Sequence, residues 1–179
     1  YANYLAEAGC DLVIVSNQEK ELEDVADRLR NDYGVKVIAR YQDLSQEDAA
    51  QQLFDFCKNQ NAVIDILINN AGMFFFHELD DEYHTKMELM LNLHIMTPTH
   101  MCRIFGNEMK KRGYGFIILV SSMAARLPYP GITIYSATKA YLKSFGKSFY
   151  YEMGDYGVGV TTVCPGAIAT PLYKINPRL

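Results

Sequence analysis

Five short, apolar, β-branched runs alternate with longer stretches of helical periodicity, and that alternation leaves few folds open. The runs are Asp11–Val15, Val35–Ala39, Ile64–Ile68, Phe116–Val120 and Val158–Val163. Each is too short and too apolar for a surface helix. Between them, Glu19–Tyr33 spaces Leu22, Val25, Ala26 and Leu29 along one helical face and closes at Gly34. Tyr1–Ala8 reads as the tail of a helix stopped by Gly9, and a Ser45 cap opens a helix to about Asn59. A long helical region, Asp81–Arg112, is interrupted near Thr97-Pro98, and Tyr135–Met153 is the last helix. Strands alternating with helices imply an α/β fold, a doubly wound parallel sheet with helices on both faces in three α/β/α layers. No repeat, low-complexity tract or linker divides the 179 residues, so residues 1–179 are expected to form one domain.

Charge and cysteine usage narrow the function classes. A net charge of −4 gives no electrostatic reason to expect nucleic acid, and the densest basic cluster, Lys110-Lys111-Arg112, reads as a solvated helix end. No apolar run approaches the ~20 residues of a membrane span, and no signal peptide is visible. No membrane partner is therefore expected. Cys10, Cys57, Cys102 and Cys164 are widely separated and read as thiols of a reducing, cytoplasmic compartment. His77, His84, His94 and His100 lack metal-ligand spacing and read as surface or core histidines, so no metal site is expected.

In parallel sheets ligands bind beyond the carboxyl ends of the strands. Ser16, Asp43, Asn70, Ser122 and Pro165-Gly166 all fall just after predicted strands. The richest of these ends is the fourth. The run Ile117–Val120 ends at Ser121-Ser122, and thirteen residues after Ser122 a helical pattern opens near Tyr135. Tyr135 and Lys139 are four apart, hence on one face. A hydroxyl, a phenol and an ammonium thus converge on one spot, a set suited to proton transfer coupled to carbonyl reduction. A free phenol titrates near ~10. A neighbouring ammonium stabilises the phenolate and makes Tyr135 a usable acid or base. The Ser122 hydroxyl can donate to an oxygen on which negative charge develops. No side chain carries a hydride, so a cofactor must supply it.

These residues make the sequence resemble the classical short-chain dehydrogenase/reductases. The match rests on Ser122, Tyr135-Ser136-Ala137-Thr138-Lys139, the upstream Asn69-Asn70-Ala71-Gly72 and the downstream Pro165-Gly166-Ala167-Ile168-Ala169-Thr170. The resemblance implies a Rossmann-like sheet and an NAD(P)-dependent interconversion of a hydroxyl and a carbonyl. It makes Tyr135 the general acid or base and gives Lys139 the nicotinamide ribose hydroxyls as well. Asn92, in Leu91-Asn92-Leu93, matches the asparagine that relays protons through water to the lysine. Asn70, Ala71 and Gly72 would lie along the adenosine side of the cofactor, with Asn69 bracing the sheet. Asp43, followed by Leu44, would meet the adenine. Ile168 and Thr170 would bind the nicotinamide carboxamide and the phosphates, where Pro165-Gly166 bends the chain.

Plainer readings compete residue by residue. Tyr135 is one of 13 tyrosines, with Tyr129 and Tyr141 close by, and Lys139, Lys143 and Lys147 form a stripe that is ordinarily a solvated face. Ser121 points to the opposite face from Ser122 and reads as structural. The end of the second family strand, Ser16-Asn17, lacks the acid that NAD sites place there, which favours NADP over NAD. Leu142, Phe145, Phe149 and Met153 read as the core side of the last helix. Ala137, Tyr141, Ser144, Ser148 and Tyr151 form a second face, a seam for a homodimer or homotetramer or else a solvated surface. Met123, Leu127, Pro128, Tyr129 and Phe74–Phe76 would wall an apolar pocket for a small, lipophilic carbonyl or alcohol substrate. No glycine-rich phosphate turn is present, yet Tyr1–Gly9 looks like the helix that follows one, and the chain stops soon after Thr170. The sequence is therefore expected to be incomplete at both ends. Two other functions stay open: a non-catalytic nucleotide-binding module, and a hydrolase using Ser122, which lacks a G-x-S-x-G elbow.

Overall fold

The structure is a computed structural model, and it describes residues 1–80 and 83–166. The chain divides into two compact units, Tyr1–Leu44 and a second beginning at Ser45. The first holds helix α1 (Ala2–Glu7), strand β1 (Leu12–Ser16), helix α2 (Glu19–Tyr33) and strand β2 (Val37–Tyr41). The second holds α3 (Ala49–Asn59), β3 (Ile66–Asn69), α4 (His84–Leu91), α5 (Thr97–Arg112), β4 (Gly115–Val120), α6 (Thr133–Gly154) and β5 (Val158–Val163). The expected order of elements is the observed one. No helix among the described residues is long and apolar enough to cross a membrane.

In the first unit β1 and β2 run parallel in the register Leu12↔Val37 to Ser16↔Tyr41. Ala6, Ala26, Leu29 and Val37 form its buried core, with Leu12, Ile14, Val25 and Ala39 against them. Gly34 takes the left-handed conformation (φ 69°) that ends α2, as its place after Tyr33 predicts. The Arg30 guanidinium donates to the Val37 carbonyl at 3.1 and 2.7 Å and fixes α2 on β2.

In the second unit β3, β4 and β5 form a parallel ladder with β4 in the centre. Among the described residues the strands pair in two parallel ladders, β1-β2 in the first unit and β3-β4-β5 in the second. Alternate residues of β4 are buried: Ile117 and Leu119 are at most 1% exposed, whereas Phe116 on the opposite face is 47% exposed. α5 and α6 cover the buried face. Ile117 lies close to Gly106 of α5, and Leu119 to Gly146 of α6.

Several boundaries shift from the sequence reading, β2 to Val37–Tyr41 and β3 to Ile66–Asn69 among them, and for two the hydrogen bonds give the reason. β1 begins at Leu12 because the Asp11 carboxylate accepts the Lys36 N–H at 2.9 Å instead of extending the ladder. α3 starts at Ala49, not after Ser45, because residues 45–48 fold into turns in which the Ala49 N–H reaches the Gln46 carbonyl.

The interruption at Thr97-Pro98 is a π turn, Asn92–Met96, that joins α4 to α5 without breaking the helix. Proline has no N–H and its ring clashes with the carbonyl four residues back. The chain widens by one residue there, so that the Thr97 N–H bonds the Asn92 carbonyl. The Thr99 hydroxyl then donates to the Ile95 carbonyl at 2.6 Å.

Gly146 and Gly154 give a controlled test of the packing of α6. A Cβ on Gly146 would collide with Thr162 and Leu119, whereas one on Gly154 meets nothing within 4 Å. Alanine gains at most ~1 kcal/mol of helix propensity, and overpacking costs ~1–3 kcal/mol. Gly146→Ala is expected to lower the denaturation midpoint and Gly154→Ala to leave it equal or raise it, as read by urea unfolding.

Candidate active site

The carboxyl ends of β3, β4 and β5 share one edge of the second ladder, and the predicted residues Asn70, Ser122 and Pro165-Gly166 stand there. Pairing continues past the strand ends: the Ser121 N–H donates to the Val163 carbonyl (2.8 Å) and the Met123 N–H to that of Pro165 (2.9 Å). Pro165 is thereby held beside the residue that follows Ser122. Asn70 and Ala71 are exposed at this edge, and Gly72 is partly buried.

Ser122 is buried and extended, and caps a single 3₁₀ turn, Met123–Ala125. Its Oγ accepts the Ala124 N–H at 3.1 Å, which fixes the oxygen while its own proton is left to donate. Ser121 points elsewhere, as the strand alternation predicts. Its hydroxyl donates to the Lys139 carbonyl at 2.6 Å and ties the strand end to α6.

α6 starts two residues before Tyr135, at Thr133, so Tyr135 lies in its first turn and Lys139 one turn further on. Tyr135 is 4% and Lys139 5% exposed, so this lysine is no part of a solvated stripe. The Lys139 Nζ lies 5.7 Å from the Tyr135 ring centroid and donates to the Val120 carbonyl at 2.9 Å. Burial brings its pKa down from 10.5 to about 8. Phe74 packs edge-on against Tyr135 with ring centroids 5.0 Å apart. Of the expected pocket wall, Met123, Leu127, Tyr129 and Phe76 are half or more exposed, and Phe76 lies 6.3 Å from Tyr129.

Asn92 is the first residue of the π turn, a distortion that recurs at functional sites. Asn69 braces the end of β3 from its side chain, donating to Cys102 Sγ at 3.7 Å. Ser16 ends β1, and Asp43 and Leu44 follow β2; all three belong to the first unit. Ile168 and Thr170 lie outside the described residues. Among the described residues no group of three or more His, Cys, Asp or Glu side chains is placed to hold a metal ion. Leu142 and Met153 are buried as expected. Phe145 and Phe149 are half-buried and continue a stacked row from Tyr141, with successive centroids 5.7 and 5.3 Å apart.

The sequence reading gave His94 only as a surface or core histidine and Thr138 only as part of the Tyr135–Lys139 motif, with no role at the site for either. His94 is 1% exposed on the π turn and hydrogen-bonds Met73 N–H and Thr138 Oγ1, each at 2.9 Å. No spacing rule marks it. The one local signal is a histidine flanked by Leu93, Ile95 and Met96, where a polar side chain needs buried partners.

Residues 1–177 match the short chain dehydrogenase family, and the chain belongs to it. It is 32% identical over 98% of its length to very-long-chain 3-oxoacyl-CoA reductase-A of Danio rerio, covering 56% of that protein. The Mus musculus very-long-chain 3-oxoacyl-CoA reductase is 31% identical over 98% of the chain, which covers 57% of it. The chain thus spans little more than half the length of these relatives. A short-chain dehydrogenase from Sphingobium yanoikuyae, solved in complex with NADPH, superposes with a TM-score of 0.90 at 29% identity. The match covers 97% of this chain and 67% of that one.

The buried ammonium has a measurable cost. A base whose folded pKa, about 8, lies below its ordinary 10.5 binds fewer protons folded than unfolded between those values, so stability rises with pH across that window. The penalty below pH 8 is roughly 3 kcal/mol, more than the ~1–2 kcal/mol lost by unpairing the Val120 carbonyl. Lys139→Met is therefore expected to raise the melting temperature at pH 7 by several degrees. The gap to wild type should narrow as the pH climbs from 8 to 10.5, as calorimetry across that range will show.

Proposed function

We propose that the protein is an NAD(P)-dependent oxidoreductase that interconverts an alcohol and a ketone or aldehyde, with Tyr135 as general acid and base. The observation that carries this reading is that Lys139, Tyr135 and Ser122 are all buried at the end of β4, with the Lys139 Nζ 5.7 Å from the Tyr135 ring and hydrogen-bonded to the Val120 carbonyl two residues before Ser122. An ammonium has three donors, and one of those on Lys139 is held by Val120. Two remain for sugar hydroxyls, so the donor set fits a nicotinamide ribose. Lys139, Tyr135, Asn70, Gly72 and Pro165-Gly166 would hold that end of the coenzyme. When bound, the coenzyme supplies the hydride.

The chain's own residues supply the rest. Ser122 donates to the substrate oxygen and stabilises the charge that grows on it. Tyr135 delivers the proton to that oxygen in reduction and removes it in oxidation. Lys139 stabilises the phenolate left behind, and Asn92, at the π turn, holds the water through which the replacement proton reaches the lysine. The coenzyme is taken to be NADP(H). β1 ends in Ser16-Asn17 with no carboxylate for a 2′-hydroxyl, and the Sphingobium relative was solved with NADPH. The substrate is taken to be a lipophilic carbonyl compound, in keeping with the exposed Met123, Leu127, Tyr129 and Phe76 and with the 3-oxoacyl-CoA reductases among the relatives. Self-association through the face of α6 that carries Tyr151 belongs to the same reading.

Tyr135→Phe in the natural full-length chain is expected to lower turnover of a lipophilic ketone by ~10³-fold and to leave NADPH affinity within a few-fold. Retained turnover would refute the proton-transfer role. NADPH binding without turnover in wild-type protein, tried on a panel of ketones, would favour the non-catalytic alternative. With Lys139 losing its charge near pH 8 in the free protein, kcat/KM for NADPH in ketone reduction should fall as the pH rises through about 8.

A further inference from the structure

His94 sits where three separate segments meet. Its ring accepts the Met73 N–H at Nε2 (2.9 Å), so that nitrogen carries no proton. Nδ1 therefore bears the hydrogen and donates to Thr138 Oγ1 at 2.9 Å. Thr138 in turn spends its own proton on the Tyr135 carbonyl at 2.8 Å. Every donor and acceptor in this chain has one direction, and the directions fix a single histidine tautomer. A Cβ on Gly72 would come within 3.1 Å of His94 Nε2 and 3.7 Å of Lys139 Nζ, so the missing side chain at Gly72 is what lets loop, imidazole and ammonium meet.

We propose that His94 is a positioning residue: as a neutral Nδ1–H imidazole it clasps the loop Asn70–Met73 to the turn of α6 that bears Tyr135 and Lys139. The clasp sets the coenzyme-side loop against the proton-transfer pair. This rests on the proposed function above.

The two ends of the ring have separate tasks. The Nε2 end holds the loop, and the Nδ1 end holds the catalytic turn through Thr138. The ring lies 5.8 Å from that of Tyr135 with the two planes 72° apart, so it packs edge-on against the tyrosine itself. A charged imidazole could not accept the Met73 N–H and would face the Lys139 ammonium. Burial first, and that ammonium second, hold the His94 pKa down to about 3, so the clasp stays neutral throughout the working pH range.

Side-chain reach separates the two tasks. The amide of asparagine matches the position of Nδ1, and the far oxygen of glutamine matches that of Nε2. In the natural full-length protein, His94→Phe is expected to raise the NADPH Kd by ~10-fold and to lower kcat by a similar factor, each the worth of one buried hydrogen bond. His94→Gln should recover NADPH affinity to within ~3-fold but not kcat; His94→Asn should recover kcat but not affinity. Thr138→Val should reproduce the kcat loss alone. A His94→Phe protein that melts earlier yet keeps wild-type Kd and kcat would overturn the proposal and leave His94 a core residue. Nitrogen-15 NMR of the histidine rings gives a readout apart from catalysis. The Nδ1–H tautomer, unchanged from pH 5 to 8.5, is expected. An Nε2–H or protonated ring in NADPH-binding protein would overturn the positioning role alone, whereas wild-type protein that binds no NADPH would overturn the site reading and this role together.

Discussion

The second unit is arranged around an ammonium held where water does not reach it. Lys139 is 5% exposed, one turn from a buried tyrosine whose ring it faces, and it donates to the Val120 carbonyl at the end of the central strand. Burying a cation on that footing costs free energy, and proteins ordinarily place lysine in water. The cost is borne at a strand edge where three parallel carboxyl ends meet. At that edge a ligand with hydroxyl groups can complete the ammonium's hydrogen bonding. Stability is given up in the free chain to keep a charge beside a phenol.

Much of the neighbouring structure follows from holding that charge in place. Ser121 anchors the backbone of Lys139 to β4, and Ser122, one residue on, turns the other way to present its hydroxyl. Gly146 lets α6 lie directly on β4 and β5. Pro98 forces the wide turn at Asn92–Met96, and that turn aims His94 between the Gly72 loop and Thr138. A regular α-helix through these residues would rotate the side chains before Pro98 relative to those after it. The proline thus reaches the site through helix geometry alone.

What could be read from the sequence was whatever local chemistry decides. α2 and its Gly34 stop, and β5 from Val158 to Val163, coincide with their observed limits because periodicity and a left-handed glycine are local signals. Tyr135 and Lys139 could be placed together because one helical turn fixes their geometry. Long-range partners decided the rest. Asp11 leaves its strand for the Lys36 N–H, a contact across 25 residues. His94 bonds residues 21 and 44 positions away, so nothing next to it in the chain announces its task. The division of the strands between two ladders is likewise a matter of pairing, which alternation alone leaves open.

The most direct test of a buried, weakly solvated ammonium at this edge is the titration of Lys139 itself. Carbon-13 NMR of its Cε in the full-length protein, assigned by comparison with Lys139→Met, reads that group alone. A midpoint near 8 is the predicted result. A midpoint near 10.5, the value of a solvated lysine, would contradict the account, since the ammonium would then be in water and the site built in some other way.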